Sequence, residues 1–302
     1  MFTTIKYKFN YNIIMNTIYF EISGYCNAKC KYCCNGNGSM NDCDKRFIPV
    51  DDFTTAIAYL KGNEFLNDDT VIHLYNWGEP FLHPQFDDII QVLINNAIKH
   101  GLSTNGSIYK ELIDTPLLHE LKFSLPGYSQ ESHNKIHKLD FQTVISNIDR
   151  HMTLIPHHKI NITYFIYPFN IHEIELIKSK YQHINFNLPY YNDYNSSVKF
   201  MEGNLMPWDM FVDHVREINK MAPNDICPLI TTSTVIDEYC NVLQCCGLPK
   251  NIRHYNIGNL FDLTINDIQD RRLECQECIK CKSLNLPNYW LKSNDHVVKF
   301  IK

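Results

Sequence analysis

Cys26, Cys30, Cys33 and Cys34 crowd into one short stretch, GYCNAKCKYCCNG, residues 24 to 36. Thiols at this density serve disulfide bonds, a zinc knuckle or an iron–sulfur cluster. Cys26-x3-Cys30-x2-Cys33 sets three thiolates on a tight loop. A 4Fe–4S cube normally takes four, so three would leave one iron open to an exchangeable ligand. A zinc knuckle wants a fourth Cys or His at knuckle spacing, and Cys34, adjoining Cys33, is badly placed to be it. Cys34 and Cys43 read as bystander thiols.

A second group lies far away. Cys227, Cys240, Cys245, Cys246, Cys275, Cys278 and Cys281 fall in the last 80 residues, and none lies between Cys43 and Cys227. That distribution means two cysteine sites rather than scattered core thiols. A zinc ribbon is the bland alternative for the second.

The redox setting bears on the choice. The N-terminal MFTTIKYKFNYNIIMNTIYFEI is broken by Lys6, Lys8 and several Asn, and has no small-residue cleavage site, so it does not read as a signal peptide. No apolar run is long enough to span a bilayer. The expected location is therefore cytoplasmic, where clustered thiols bind metal or do chemistry more often than they form disulfides. At 302 residues, 44% hydrophobic and 20% charged, the chain has the make-up of a globular protein with room for one large domain, or a large one plus a small one. A net charge of −5 argues against a nucleic-acid partner.

Alternating elements must position these thiols. TIYFEIS (17–23) has strand alternation, with Ile18, Phe20 and Ile22 on one face. DDFTTAIAYLKG predicts a helix, TVIHLY (70–75) a strand, and HPQFDDIIQVLINNAIKHG a helix ended by Gly101. A short strand precedes STNG, a helix is expected near 108–114, and LKFSL (121–125) reads as a strand. Phe141, Val144, Ile145 and Ile148 mark a helix. INITYFIY (160–167) is a strand, NIHEIELIKSKY (170–181) a helix and INFNL (184–188) a last strand. This rhythm predicts an α/β fold with a parallel sheet, curved or closed, and a site at the carboxyl ends of the strands. The pattern breaks at 192–206, and a further helix starts near Pro207. The remainder is short and cysteine-rich, the kind of segment a metal site staples.

CxxxCxxC after the first strand, with Tyr32 before the last Cys, resembles the radical S-adenosylmethionine (radical SAM) enzymes. NWGEP (76–80) stands where the family has Gly-Gly-Glu-Pro, with Trp77 in place of the first glycine. The resemblance implies a partial (β/α)6 barrel and a 4Fe–4S cluster held by Cys26, Cys30 and Cys33. It implies S-adenosylmethionine (SAM) bound through Gly78, Glu79 and Pro80, and through Ser103 and Asn105 of STNG. FSLPGYSQESHNKIH (123–137) is similar to the family's Ser-x-Asp-Gly segment, which carries over Ser124, with Pro126 where Asp is usual. YPFNIHEI resembles the adenine-side loop and adds Asn170. The second cysteine group, with YNIGNLFDLTINDI (255–268) inside it, resembles the twitch domain, a shorter relative of the SPASM domain. There Cys227 and Cys245 would be the first two ligands of one auxiliary 4Fe–4S cluster, followed by Cys275/Cys278 or Cys278/Cys281. The implied division is a radical SAM core over 1–195, a linker and helix over 196–221, and an auxiliary-cluster domain over 222–302.

The implied chemistry is reductive cleavage of SAM to a 5′-deoxyadenosyl radical that takes hydrogen from an unactivated C–H bond. The expected substrate is a small hydroxylated molecule of sugar or aminocyclitol type, and the expected electron source a reductant such as flavodoxin or ferredoxin. Cys246, beside a presumed cluster ligand, is the candidate hydrogen-atom donor for an epimerisation. Dehydrogenation through the auxiliary cluster, peptide modification and a zinc-stapled binding module are the alternatives. Cys240 falls where a hairpin would turn, often a glycine position, and reads as inert. His133, His137, Lys135, Arg46 and Tyr128 are polar groups for substrate or for solvent.

Overall fold

In the computed structural model, residues 16–30, 33–38, 40, 43–167, 169–187, 227–248, 255–276, 278 and 279 are described. The strands are β1 (Thr17–Phe20), β2 (Val71–His73), β3 (Lys99–Thr104), β4 (Leu118–Ser124), β5 (Ile160–Phe165), β6 (Ile184–Asn187), β7 (Ser233–Ile236), β8 (Asn241–Leu243) and β9 (Asn256–Asn259). They form one sheet in the order β6-β5-β4-β3-β2-β1-β7-β8-β9. Pairing is parallel from β6 through β7 and antiparallel from β7 through β9. Among the described residues β6 and β9 each have a neighbour on one side only, so the barrel is open.

The helices follow from apolar spacing. α1 (Val50–Gly62) buries Phe53, Ala56, Ile57 and Leu60, and its first turn carries Asp51 and Asp52, the charge sign that a helix N-terminus favours. α2 (Phe86–Asn95) buries Phe86, Ile89 and Leu93. α3 (Gln130–Ile136), α4 (Phe141–Leu154) and α5 (Ile174–Lys180) follow, then α6 (Pro228–Thr232) and α7 (Ile265–Leu273). The helix-facing side chains of the strands, Ile18, Phe20, Ile72, Leu102, Leu121, Phe123 and Ile162 among them, join these stripes in one core. Each fully buried aliphatic or aromatic side chain there contributes about 1.5–3 kcal/mol.

Three elements depart from the sequence expectation. Gly101 does not end α2; it lies inside β3, where a Cβ would come within 2.5 Å of His73 Nδ1. α2 ends instead at Ala97 (φ 55°), with Ala97 N–H donating to Ile94 O and Ile98 N–H to Leu93 O, each at 3.0 Å. That is a Schellman termination built without glycine. No helix forms over 108–114: Leu112 is buried while Ile113 is 79% exposed, and Lys110 O is engaged by the His151 ring of α4 (2.9 Å) rather than by a helical neighbour. α3 is a helix that apolar spacing did not announce. Ser129 and Ser132 start it with a reciprocal capping box.

Cys240 sits at the β7–β8 turn with φ 61°, the left-handed backbone that usually selects glycine. Leu188, the break at 192–206 and the helix expected after Pro207 lie outside the described residues. No helix among the described residues is long and apolar enough to cross a membrane.

Ala97 carries a methyl group at a backbone position that favours glycine, and it is exposed. Ala97→Gly is expected to stabilise the protein by about 1 kcal/mol, read as a higher urea midpoint at unchanged slope.

Candidate active site

Parallel strands deliver their carboxyl ends to one rim, and the loops after β1 and β2 interlock there. The buried Glu21 carboxylate accepts the backbone N–H groups of Trp77 (2.9 Å) and Gly78 (2.6 Å) through Oε1. Glu79 N–H donates to Tyr25 O (2.7 Å). Gly78 passes so close to the first loop that a Cβ would fall 1.7 Å from Ser23 O. Asn35 closes the arrangement, its Nδ2 donating to Gly24 O and Trp77 O at 3.1 Å each, while Lys45 Nζ donates to its Oδ1 (2.7 Å). The cysteine loop itself turns back at Gly36, where a Cβ would meet Cys30 N at 2.4 Å. Cys26, Cys30 and Cys33 therefore share one tightly folded loop. Tyr32 lies outside the described residues.

Glu79 is the junction with the third loop. Its Oε1 accepts from Thr104 Oγ1 (2.7 Å) and Phe81 N (3.1 Å), and its Oε2 from Asn105 N (2.7 Å). Burial pushes its carboxyl up from 4.5 to about 7, against the pull of these donors. Asn105 then reaches the cysteine loop, with Nδ2 2.8 Å from Asn27 Oδ1 and 3.9 Å from Cys26 Sγ. Pro80 opens the short 3-10 turn that follows. Gly78, Glu79, Pro80 and Asn105 are thus gathered within one loop cluster beside Cys26. Glu21, which does as much to assemble it, escaped the sequence reading because it looked like one more outward position of a strand.

The other carried-over residues divide. Ser103 and Ser124 lie on the face of the sheet opposite the helices, where β-pairing sets Ser103 beside Lys122 and Ser124 beside Thr163. Asn170 is fully buried and gives its amide to the backbone: Oδ1 accepts from Tyr167 N (2.7 Å), and Nδ2 donates to Pro126 O and Phe165 O (2.8 Å each). It ties the β4 and β5 loops together. His133 and His137 are buried on α3 with rings 5.1 Å apart. Arg46 stacks on Tyr239 and donates to Glu238 O, Lys135 lies over Phe169, and Tyr128 packs on Phe141 and Tyr181.

The face opposite the helices carries a polar belt that spacing did not announce. Register aligns Tyr19, His73, Gly101 and Glu120 across four strands. Tyr19 stacks on His73 (5.3 Å between centroids), and Tyr75 meets both rings edge-on. Lys122 Nζ lies 2.9 Å from Glu120 Oε1 and 3.4 Å from the Tyr75 hydroxyl. Burial holds the His73 ring well below the usual histidine range, at about 4, so it is neutral near pH 7.

The second cysteine group approaches this face. Asn76 turns its amide nitrogen toward Cys246 O and its oxygen toward Trp77 Nε1, each at 3.3 Å, and Trp77 Nε1 also donates to Leu248 O (3.2 Å). Cys246 lies within electrostatic reach of the Tyr19 and Tyr75 hydroxyls. Cys227 and Cys245 interact, Cys278 interacts with Cys245 and Cys275, and Gln244 Nε2 donates to Cys278 Sγ (3.4 Å). Cys281 lies outside the described residues. Among the described residues no three His, Cys, Asp or Glu side chains are gathered for a single metal ion.

Comparison with known proteins gives the following. The family model described as Radical SAM superfamily matches residues 20–180. A tungsten-containing aldehyde ferredoxin oxidoreductase cofactor-modifying protein of Pyrococcus furiosus is 27% identical over 94 residues, 31% of this chain; the match spans only 25% of that protein's length. Native anSMEcpe with bound AdoMet superposes with a TM-score of 0.58 at 17% identity, over 90% of this chain and 88% of that one. Streptococcus suis SuiB bound to precursor peptide SuiA superposes with a TM-score of 0.61 at 15% identity, over 91% and 71%. At these identities the structures speak for the fold.

Glu79→Gln would turn an amide N–H₂ toward donors, and is expected to lower stability by about 1–3 kcal/mol in urea. The wild-type carboxyl, raised by burial, holds its proton more tightly folded than unfolded. Its stabilising contribution is therefore complete below about pH 4.5 and lost as pH rises through about 7. The stability difference between wild type and Glu79→Gln, measured on cluster-free protein, should shrink across that window.

Proposed function

The chain belongs to the radical SAM superfamily, and on that premise we propose that it inverts a carbon centre of a small hydroxylated substrate, with Cys246 as the hydrogen-atom donor. The family implies SAM and a 4Fe–4S cluster, and the rim residues fit both. Cys26, Cys30 and Cys33 offer three thiols on one loop, walled by Ala28, Ile136 and Tyr167, and would hold a 4Fe–4S cluster by three thiolates, one fewer than the usual four. Gly78, Glu79, Pro80, Ser103 and Asn105 lie on the adjoining strand ends and would hold SAM, with Ser124, Asn170 and Tyr32 as further expectations from the family. Bound together, cluster and SAM supply one-electron cleavage chemistry that ends in hydrogen abstraction from substrate.

The chain's own part is orientation and quenching. The polar belt of Tyr19, His73, Tyr75, Glu120 and Lys122 offers donors and acceptors matched to hydroxyl groups. The observation that carries the reading is the place of Cys246, whose carbonyl meets the Asn76 amide (3.3 Å) one residue beyond Tyr75, at the edge of that belt. One substrate C–H bond is broken from the SAM side, and a new one forms from the Cys246 S–H on the other face. The sulfur radical left behind takes one electron from an external reductant of the flavodoxin or ferredoxin class and one proton from solvent. SAM is consumed as methionine and 5′-deoxyadenosine.

Cys227 and Cys245, with Cys275/Cys278 or Cys278/Cys281, would be the ligands of the proposed auxiliary 4Fe–4S cluster, in a twitch- or SPASM-like unit over 222–302. Because Cys245 adjoins Cys246, dehydrogenation of an alcohol by electron loss toward that site is the second reading. The two give different products from one assay. Anaerobic turnover with candidate sugars and aminocyclitols in deuterated water is expected to place one solvent deuterium on the inverted carbon. Cys246→Ala should still cleave SAM and lose inversion by at least a hundredfold. Inversion that survives the substitution removes Cys246 as donor, and a product two hydrogens poorer selects dehydrogenation.

A further inference from the structure

Arg272, in the last turn of α7, is 1% exposed. Burying a guanidinium is among the most unfavourable placements a chain can make unless an opposite charge accompanies it. Among the described residues, no carboxylate forms an ion pair with it. Its terminal nitrogens donate to the backbone carbonyls of Leu229, Ser233 and Leu243. Those bonds fix the side chain where α6, β7 and β8 meet, but carbonyl dipoles do not neutralise it. Its Nε is buried and has no hydrogen-bond partner among the described residues.

Its surroundings show where the missing charge belongs. Burial works against the charged guanidinium, and the groups that work for it are Cys245, Cys246, Cys278 and Cys227. Gln244 Nε2 bridges Arg272 O (3.3 Å) and Cys278 Sγ (3.4 Å), and Cys275 N–H donates to Arg272 O (3.3 Å). One buried cation therefore stands among the thiols of the second cysteine group. As neutral thiols these groups offer no counter-charge. With Cys227, Cys245 and Cys278 among the thiolates of a cubane, the group would be a net anion, and its sulfur would offer the Nε–H the acceptor that it lacks among the described residues.

We propose that Arg272 is the fixed counter-charge of the auxiliary cluster, a positioning residue that raises its reduction potential and anchors the cluster to the sheet. The inference rests on the two-cluster reading above. A nearby positive charge favours the more negative, reduced cluster, so removing it drives the potential down. The guanidinium stays charged across the working pH range, so the effect is a constant bias rather than a switch.

The test uses Cys26→Ala/Cys30→Ala/Cys33→Ala protein, reconstituted without oxygen, so that only the second cysteine group holds iron. Potentiometric titration followed by electron paramagnetic resonance reads the cluster directly. With Arg272→Gln, at the potential where the parent cluster is half reduced, the reduced-to-oxidised ratio should fall at least about tenfold, or about 59 mV for one electron. Arg272→Lys keeps the charge and should stay within about threefold of the parent. Thermal unfolding supplies a second readout: the loss caused by Arg272→Gln should be larger in cluster-loaded than in cluster-free protein.

An unchanged midpoint in Arg272→Gln, or an equal thermal loss with and without the cluster, makes Arg272 a carbonyl clamp only and overturns the proposal. Should Arg272→Gln fail to accumulate, Arg272→Lys decides: a retained midpoint despite lower stability supports it, and a tenfold shift sinks it. Parent protein that takes up no cluster, while the wild type binds one, overturns the two-cluster reading itself and this inference with it.

Discussion

One carboxylate holds the rim together. Glu21 leaves β1, is buried beneath the loop it starts, and accepts the two successive backbone N–H groups of Trp77 and Gly78. Those amides have no strand partner at that point, and a buried donor without an acceptor is costly. Glu21 thereby makes the crossing of the first two loops favourable, and Gly78 makes it sterically feasible. Glu79 repeats the device one residue on, tying the second loop to the third through Thr104 and Asn105. Two acidic side chains so turn three separate strand ends into one surface, on which the cysteine loop rests.

That surface also explains how two distant cysteine groups come to share a neighbourhood. β7 pairs in parallel with β1, so the C-terminal strands extend the sheet that carries the first loop. Trp77, the departure from the family's first glycine, donates its indole N–H to Leu248 O. The bulky residue is a strut from the first site to the second, which a glycine could not be. Cys246 is held from its backbone by the same strut through Asn76, while its sulfur is hydrogen-bonded to that of Cys245.

Much of this was legible from residue spacing, because the signals involved are local. Cys26-x3-Cys30-x2-Cys33, the GEP turn and STNG each declare a backbone conformation within a few residues, and the strand–helix rhythm declares a parallel sheet. What escaped depends on contacts across the chain. Gly101 reads as a helix stop until His73 from the adjacent strand is seen to need its missing side chain. Residues 108–114 have helix-like composition, but the His151 ring competes for the Lys110 carbonyl. The polar belt is invisible to periodicity because each strand contributes only one or two of its members. Arg272 reads as an ordinary basic residue at a helix end, a placement the helix dipole favours anyway, until its burial is known.

The position of β1 between β2 and β7 constrains how the molecule is made. On the ribosome β1 emerges early and meets β2 soon after, while Ile236, the partner of Phe20 on the other side, is added only near the end. Closing so large a loop is entropically slow, and until it happens the open edge of β1 is a template for unwanted pairing. Iron delivered to the first cysteine loop during that interval would meet an incomplete platform, whereas the second group cannot assemble before the last strands are out. The two cysteine groups are thus completed in an order set by topology, the first loop before β7 docks and the second only afterwards.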